Sequence, residues 1–197
     1  MREMVKMVIV LTLLSSFSGG LLAAIRNNTQ ERIDSQVLKF VKGPAIQTIM
    51  EGAENNPIQD RFAIPVGETE KNFFVGVFDG KPNVVAFETK GGGYGGDVGV
   101  MVAVNVESGK IHGVSVTTHN ETPGLGARVA TDEDFKNQFS GVPIGTETQV
   151  KKDGGDITAL SGATITSRAF CKAVAKAGQL FEKVKPKIME KLSTFSG

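Results

Sequence analysis

A chain of 197 residues has room for one medium domain and an anchor, and 22 Lys and Arg against 21 Asp and Glu leave a net charge of +1. That balance excludes the strong basic field on which nucleic-acid binding depends. The single cysteine, Cys171, excludes an intrachain disulfide, a CxxC redox pair and a four-cysteine iron–sulfur or zinc site, so electron transfer by this chain would need an organic cofactor.

Met7 to Ile25 carries no charge and is mostly apolar. At about 1.5 Å per residue such a helix approaches the ~30 Å hydrocarbon core of a bilayer. Ser15, Ser16, Ser18, Gly19 and Gly20 suit close packing between membrane helices. Arg2 and Lys6 ahead of the run also suit a cleaved signal peptide, but its length and the lack of an Ala-x-Ala site before Arg26 favour a retained anchor. Arg2 and Lys6 place the N-terminus on the cytoplasmic side, although Arg26 and Arg32 keep the bias slight.

Ile33, Val37, Phe40 and Val41 recur at helical spacing and carry the helix outward until Gly43-Pro44 interrupts it. Ile46, Ile49 and Met50 mark a second short amphipathic piece. Phe73 to Phe78 reads as a strand, Asp79-Gly80 as a turn and Val84 to Phe87 as the hairpin partner. Gly91 to Gly96 lacks the Lys-Ser/Thr of a phosphate loop and reads as a flexible crossing loop, with Tyr94 in a packing role. Val98 to Val106 and Lys110 to Thr118 form a second hairpin across Glu107-Ser108-Gly109, and His112 is an ordinary strand histidine.

Thr131 to Asp134 starts a short helix with Phe135 and Phe139 on one face. Gly141 to Gly155 is a polar loop with a short strand near Thr148 to Lys151. The last helix aligns Phe170, Ala173, Val174, Ala177, Phe181 and Val184 in one stripe, until Pro186 bends or ends it. Cys171 lies among these helical residues as a buried thiol. The expected fold is α+β: an N-terminal transmembrane helix, then a twisted antiparallel sheet packed by helices on one side. The expected organisation is an anchor at 1–26, a helical leader at 27–70, a domain at 71–192 and a tail at 193–197.

Two segments carry the chemistry. Ser161-Gly162-Ala163-Thr164 puts a hydroxyl where a small-residue turn enters a helix, a place where unpaired N–H groups and the helix dipole suit a phosphate. Read alone it is an ordinary helix cap. The second segment, His119-Asn120-Glu121-Thr122-Pro123-Gly124-Leu125-Gly126, falls where a strand ends. By itself it is a turn held by side-chain-to-backbone hydrogen bonds.

Together, from Gly93-Tyr94-Gly95-Gly96 to about Val184, these segments resemble the covalent FMN-binding domains found in the G subunit of Rnf complexes and in NqrC. The resemblance implies that Thr164 carries FMN through a phosphoester. Ser161, Gly162 and Ala163 would leave room for the phosphate and for the flavin transferase, which uses FAD and a divalent metal. Thr166 and Ser167 would donate hydrogen bonds to the phosphate, and His119, Glu121, Thr122 and Leu125 would border the flavin. It implies no catalytic residue and no nicotinamide site, and His119, Glu121 and Asp132 lack the spacing of metal ligands. It also implies an electron-transfer subunit of a membrane Rnf-type ferredoxin:NAD oxidoreductase that translocates Na+ or H+, with other membrane subunits as partners and the flavin domain outside the cytoplasm. The short chain resembles the Rnf G subunit more than NqrC. One departure stands out: the family's usual acid three positions before the motif serine is Thr158 here. Two other readings are a membrane-tethered assembly module without flavin and a hydrolase using Ser161 or Thr164. The hydrolase lacks a Gly-x-Ser-x-Gly elbow.

Overall fold

The computed structural model describes residues 1–67 and 69–195, the Glu31 side chain excepted. Ser196 and Gly197, the end of the expected tail, lie outside the described residues. The chain forms two compact units, Met1–Phe40 and Val41–Gly197. In the first, helix α1 spans Arg2–Val37, and its stretch Arg2–Gln30 is long and apolar enough to cross a membrane. Among the described residues it alone meets that test.

A π-helical turn, Leu38–Lys42, leads into α2, Gly43–Ile49. Gly43-Pro44 thus starts a helix rather than stopping one, because proline in the first turn forfeits only an N–H that has no intrahelical acceptor. Five strands follow: β1 Arg61–Val66, β2 Thr69–Phe78, β3 Lys81–Gly92, β4 Asp97–Asn105 and β5 Lys110–Thr118. They form an antiparallel meander in chain order. Asp79 and Gly80 both adopt positive φ, 55° and 69°, which the tight β2–β3 turn requires. Register shifts after Gly76, Gly99 and Ala103 add local twist to the sheet.

Strand β1 was not among the expected elements. Phe62, Ile64 and Val66 alternate as a strand should, but Pro65 interrupts the pattern; proline is tolerated because β1 is an edge strand. The glycine run also differs from expectation. Gly91 and Gly92 end β3, and only residues 93–96 make a turn to the adjacent strand, closed by Gly93 N–H donating to Gly96 O at 2.8 Å. Gly91 lies against the Ala169 carbonyl and Gly95 against that of Asn120, leaving no room for side chains. The loop is a tightly packed hairpin turn, not a flexible crossing.

One sheet face carries the main core. Here α4, Thr164–Ser193, lays the expected stripe on β3 and β4, with Phe170, Ala173, Val174, Ala177 and Phe181 all fully buried. Helix α3, Glu133–Asn137, starts at Asp132, whose carboxylate accepts the Phe135 N–H at 3.0 Å. Phe135 and Phe139 pack on Phe170 with ring centroids 5.3 and 5.0 Å away. Pro186 does not end α4: the helix continues because Ile188 and Leu192 extend the buried stripe. Burial worth roughly 1.5–3 kcal/mol per side chain offsets a proline cost of about 3 kcal/mol. The opposite face is not bare, as α2 covers it with Ile46, Ile49 and Met50, and Gly113 admits Ile49. The strand expected at 148–151 is reduced to a single bridge between Val150 and Ile157, followed by a 3-10 turn at Lys151–Asp153.

Candidate functional site

Thr164 is the first residue of α4 and is partly exposed. It does not cap the helix. The cap position belongs to Ala163, which offers no side-chain hydrogen bond, and the Thr164 hydroxyl has no partner among the described residues. The backbone N–H groups of Thr164, Ile165 and Thr166 likewise find no acceptor among them. Three amide dipoles and the positive end of a 30-residue helix therefore face outward around a free hydroxyl.

The turn beneath is built by residues that the sequence placed at the phosphate. Ser167 is fully buried; its hydroxyl donates to Ala163 O and accepts from Leu160 N–H, each at 3.0 Å. Thr166 is buried as well, and its hydroxyl donates to Glu121 Oε2. Each hydroxyl has one proton, already committed inward, so the expectation that both donate to a phosphate is corrected: they hold the turn that presents Thr164. Ser161 and Gly162 are exposed and Ala163 is buried; Gly162 takes a φ of 77°, which a side chain would strain.

The structure brings the second segment to the first. Glu121 is only 5% exposed, and Oε1 accepts the Gly95 N–H at 2.8 Å while Oε2 takes the Thr166 hydroxyl. Leu125 sits over Gly162, its Cδ2 3.3 Å from where a Cβ would stand. Thr122 is exposed, and its carbonyl accepts from Leu125 and Ala127, so it shapes the turn into the 3-10 helix Gly126–Ala130. His119 Nδ1 accepts the Glu121 N–H at 3.3 Å, which is the turn-holding role. With Lys90, Asp97, Thr117 and Asn120, His119 also lines a cleft of about 590 Å³ that does not include Thr164.

Three large apolar side chains remain exposed on these joined segments: Tyr94 at 74%, Leu125 at 50% and Ile165 at 50%. Tyr94 therefore does not pack into the fold as expected. One ion pair near the helix start escaped the sequence reading: the Arg168 guanidinium, a turn beyond Thr164, donates from Nε and Nη2 to Asp153 at 2.6 Å each. That bidentate hydrogen bonding holds the Asp153 carboxyl below its usual range, and Lys172 and Lys152 add to it. No group of three or more metal-ligating side chains occurs among the described residues.

Residues 93–179 match the FMN-binding domain family. The G subunit of the ion-translocating oxidoreductase complex from Shewanella oneidensis is 32% identical, over 89% of this chain and 88% of that one. The G subunits of the same complex from Salmonella typhi and Escherichia coli K12 are 36% and 34% identical, each over 86% of this chain and 87% of theirs. The chain belongs to this family of G subunits of the ion-translocating oxidoreductase complex. Among solved structures, the C subunit of the Na(+)-translocating NADH-quinone reductase from Parabacteroides distasonis is 26% identical, with a TM-score of 0.52 over 60% of this chain and 64% of that one. Shewanella oneidensis NqrC shares the fold, at 24% identity and a TM-score of 0.53 over 70% and 72%.

Proposed function

We propose that this chain is the flavoprotein electron-transfer subunit of an Rnf-type ferredoxin:NAD oxidoreductase complex that translocates Na+ or H+, with FMN on Thr164 through a phosphoester. The carrying observation is the Thr164 hydroxyl: unpartnered, partly exposed and flanked by three free N–H groups within a matched FMN-binding domain. Tyr94, Leu125 and Ile165 supply an apolar rim suited to a flavin ring. The FMN supplies reversible electron uptake and release when bound. In an attachment step catalysed by a flavin transferase, Thr164 Oγ1 would attack the FMN-side phosphorus of FAD, the Oγ1–P bond forming as the pyrophosphate bond breaks, AMP leaves and the hydroxyl proton is released.

Residues 1–26 act as a single membrane anchor with a cytoplasmic N-terminus, and the flavin domain lies outside the cytoplasm; that domain begins well before the expected boundary at 71, because α2 and β1 pack within the same compact unit as the sheet. The chain relays electrons between partner subunits, does not act on NAD itself and conducts no ion alone. Support for Rnf rather than Nqr kinship comes from G-subunit relatives that align over most of both chains. Co-expression with a flavin transferase, followed by intact mass and in-gel fluorescence after denaturation, tests the reading. A mass gain of FMN less water on the peptide holding Thr164 is expected. An unmodified chain beside a modified control substrate would point to Thr158 as the defect and favour the assembly-module reading.

A further inference from the structure

All three segments that distinguish this chain meet at one carboxylate. Glu121 accepts from Gly95 in the β3–β4 turn and from Thr166 in the first turn of α4, 26 and 45 residues away in sequence. The space around it is reserved by absent side chains. A Cβ at Gly93 would come within 2.5 Å of Oε1, and one at Gly126 within 2.7 Å of both Oε2 and the Thr166 hydroxyl. Glu121 touches neither Thr164 nor the exposed apolar rim by any hydrogen bond; it acts on both through its neighbours. Gly95 follows Tyr94, the most exposed member of the rim, and Thr166 lies two residues beyond Thr164.

We propose that Glu121 is a positioning residue: its carboxylate locks the turn at 93–96 to the first turn of α4 and so fixes the wall bearing Tyr94 beside the attachment threonine. A buried carboxylate with one oxygen on a main-chain N–H and the other on a hydroxyl resists rotation, since turning it would strand both donors away from water. The wall is thereby set before any flavin arrives. The inference rests on the attachment reading, because only a ring on Thr164 would use such a wall.

The test uses the full chain in detergent micelles. In the flavin-free protein, Glu121→Ala should raise hydrogen exchange at the Gly95 amide by at least about tenfold, the loss expected when a buried N–H loses its acceptor. Glu121→Gln, whose amide oxygen can still accept from Gly95, should restore most of the protection. After flavinylation, Glu121→Ala should lower the anisotropy of flavin fluorescence, raise its emission and shift the midpoint potential, while Glu121→Gln stays close to the parent. A role in stability alone would leave those flavin signals unmoved in the folded variant. Should Glu121→Ala fail to fold, Thr166→Val removes one anchor of the same carboxylate and should shift Gly95 exchange and flavin anisotropy in the same directions. A folded Glu121→Ala with unchanged exchange at Gly95, or with faster exchange but unchanged flavin signals, overturns the proposal. A parent chain that never takes flavin overturns the attachment reading and, with it, the role of the wall, even if Gly95 exchange responds.

Discussion

Replacing Thr164 by alanine separates attachment from capping, because the two roles differ in what they contribute to the fold. The hydroxyl makes no hydrogen bond and the side chain is partly exposed. Removing its methyl from a half-buried position costs about 0.4 kcal/mol, half the value of a buried methylene. Alanine's better helix propensity returns about the same amount. The flavin-free variant should therefore unfold in urea within about 0.5 kcal/mol of the parent. A threonine that capped α4 would lose about 1 kcal/mol instead, or about 2–4 °C in Tm. Ser167→Ala provides the contrast. It strands the buried Leu160 N–H and should cost about 1–3 kcal/mol. Urea titrations followed by circular dichroism measure both, and in-gel fluorescence after co-expression with the transferase reads the flavin. Loss of all fluorescence with unchanged stability is expected for Thr164→Ala. A loss of about 1 kcal/mol or more would restore the hydroxyl to a cap, and retained fluorescence would move the attachment elsewhere.

Other consequences can be checked on the same protein. Phe170→Ala empties the space between α4 and α3, where two phenylalanine rings stand 5.0 and 5.3 Å away; a loss of about 3–5 kcal/mol in denaturant titrations is expected, and one below about 1 kcal/mol would contradict that packing. Burial pushes the Cys171 thiol up to about 12, so a thiol reagent at pH 8 should label the chain only after unfolding. Burial raises Glu88, but hydrogen bonds from Lys42 and Thr117, with the charges of Lys42 and Lys90, outweigh it and hold the carboxyl below its usual range. With its folded pKa depressed, Glu88 contributes stability above its unfolded pKa and loses it as pH falls through the folded value. Glu88→Gln should thus flatten the acid limb of stability against pH, and an unchanged limb would refute the pairing. Partial burial against Phe78 lowers the pKa of His112, so the unfolded chain holds more protons just below neutrality and stability should fall on acidification from pH 7 to 5. His112→Gln should remove that part of the slope in a thermal-shift series, and an identical slope would refute it.

Local periodicity made much of this protein legible from its sequence. The uncharged run from Met7 to Ile25 marks a helix suited to a membrane, the stripe from Phe170 to Val184 marks the buried face of α4, and the β-rich runs at 73–78, 84–87, 98–106 and 110–118 mark strands, as expected. The motif at Ser161–Thr164 and the segment from His119 are likewise local strings that can be compared directly. Periodicity does not say which element will lie against a face. It therefore could not foresee that α2 covers the second side of the sheet, or that burial of Ile188 and Leu192 would carry α4 past Pro186. Nor could a hydroxyl's type reveal its direction. Thr164 and Thr166 stand two apart on one helix, about 200° around its axis, so one faces outward and the other meets Glu121. Sequence alone marked strands β2 to β5, the two long helices and Thr164 as the proposed attachment residue. Only tertiary structure decided that a carboxylate 45 residues before Thr166 joins the glycine turn to the helix start, because that contact exists only once the sheet has closed on α4.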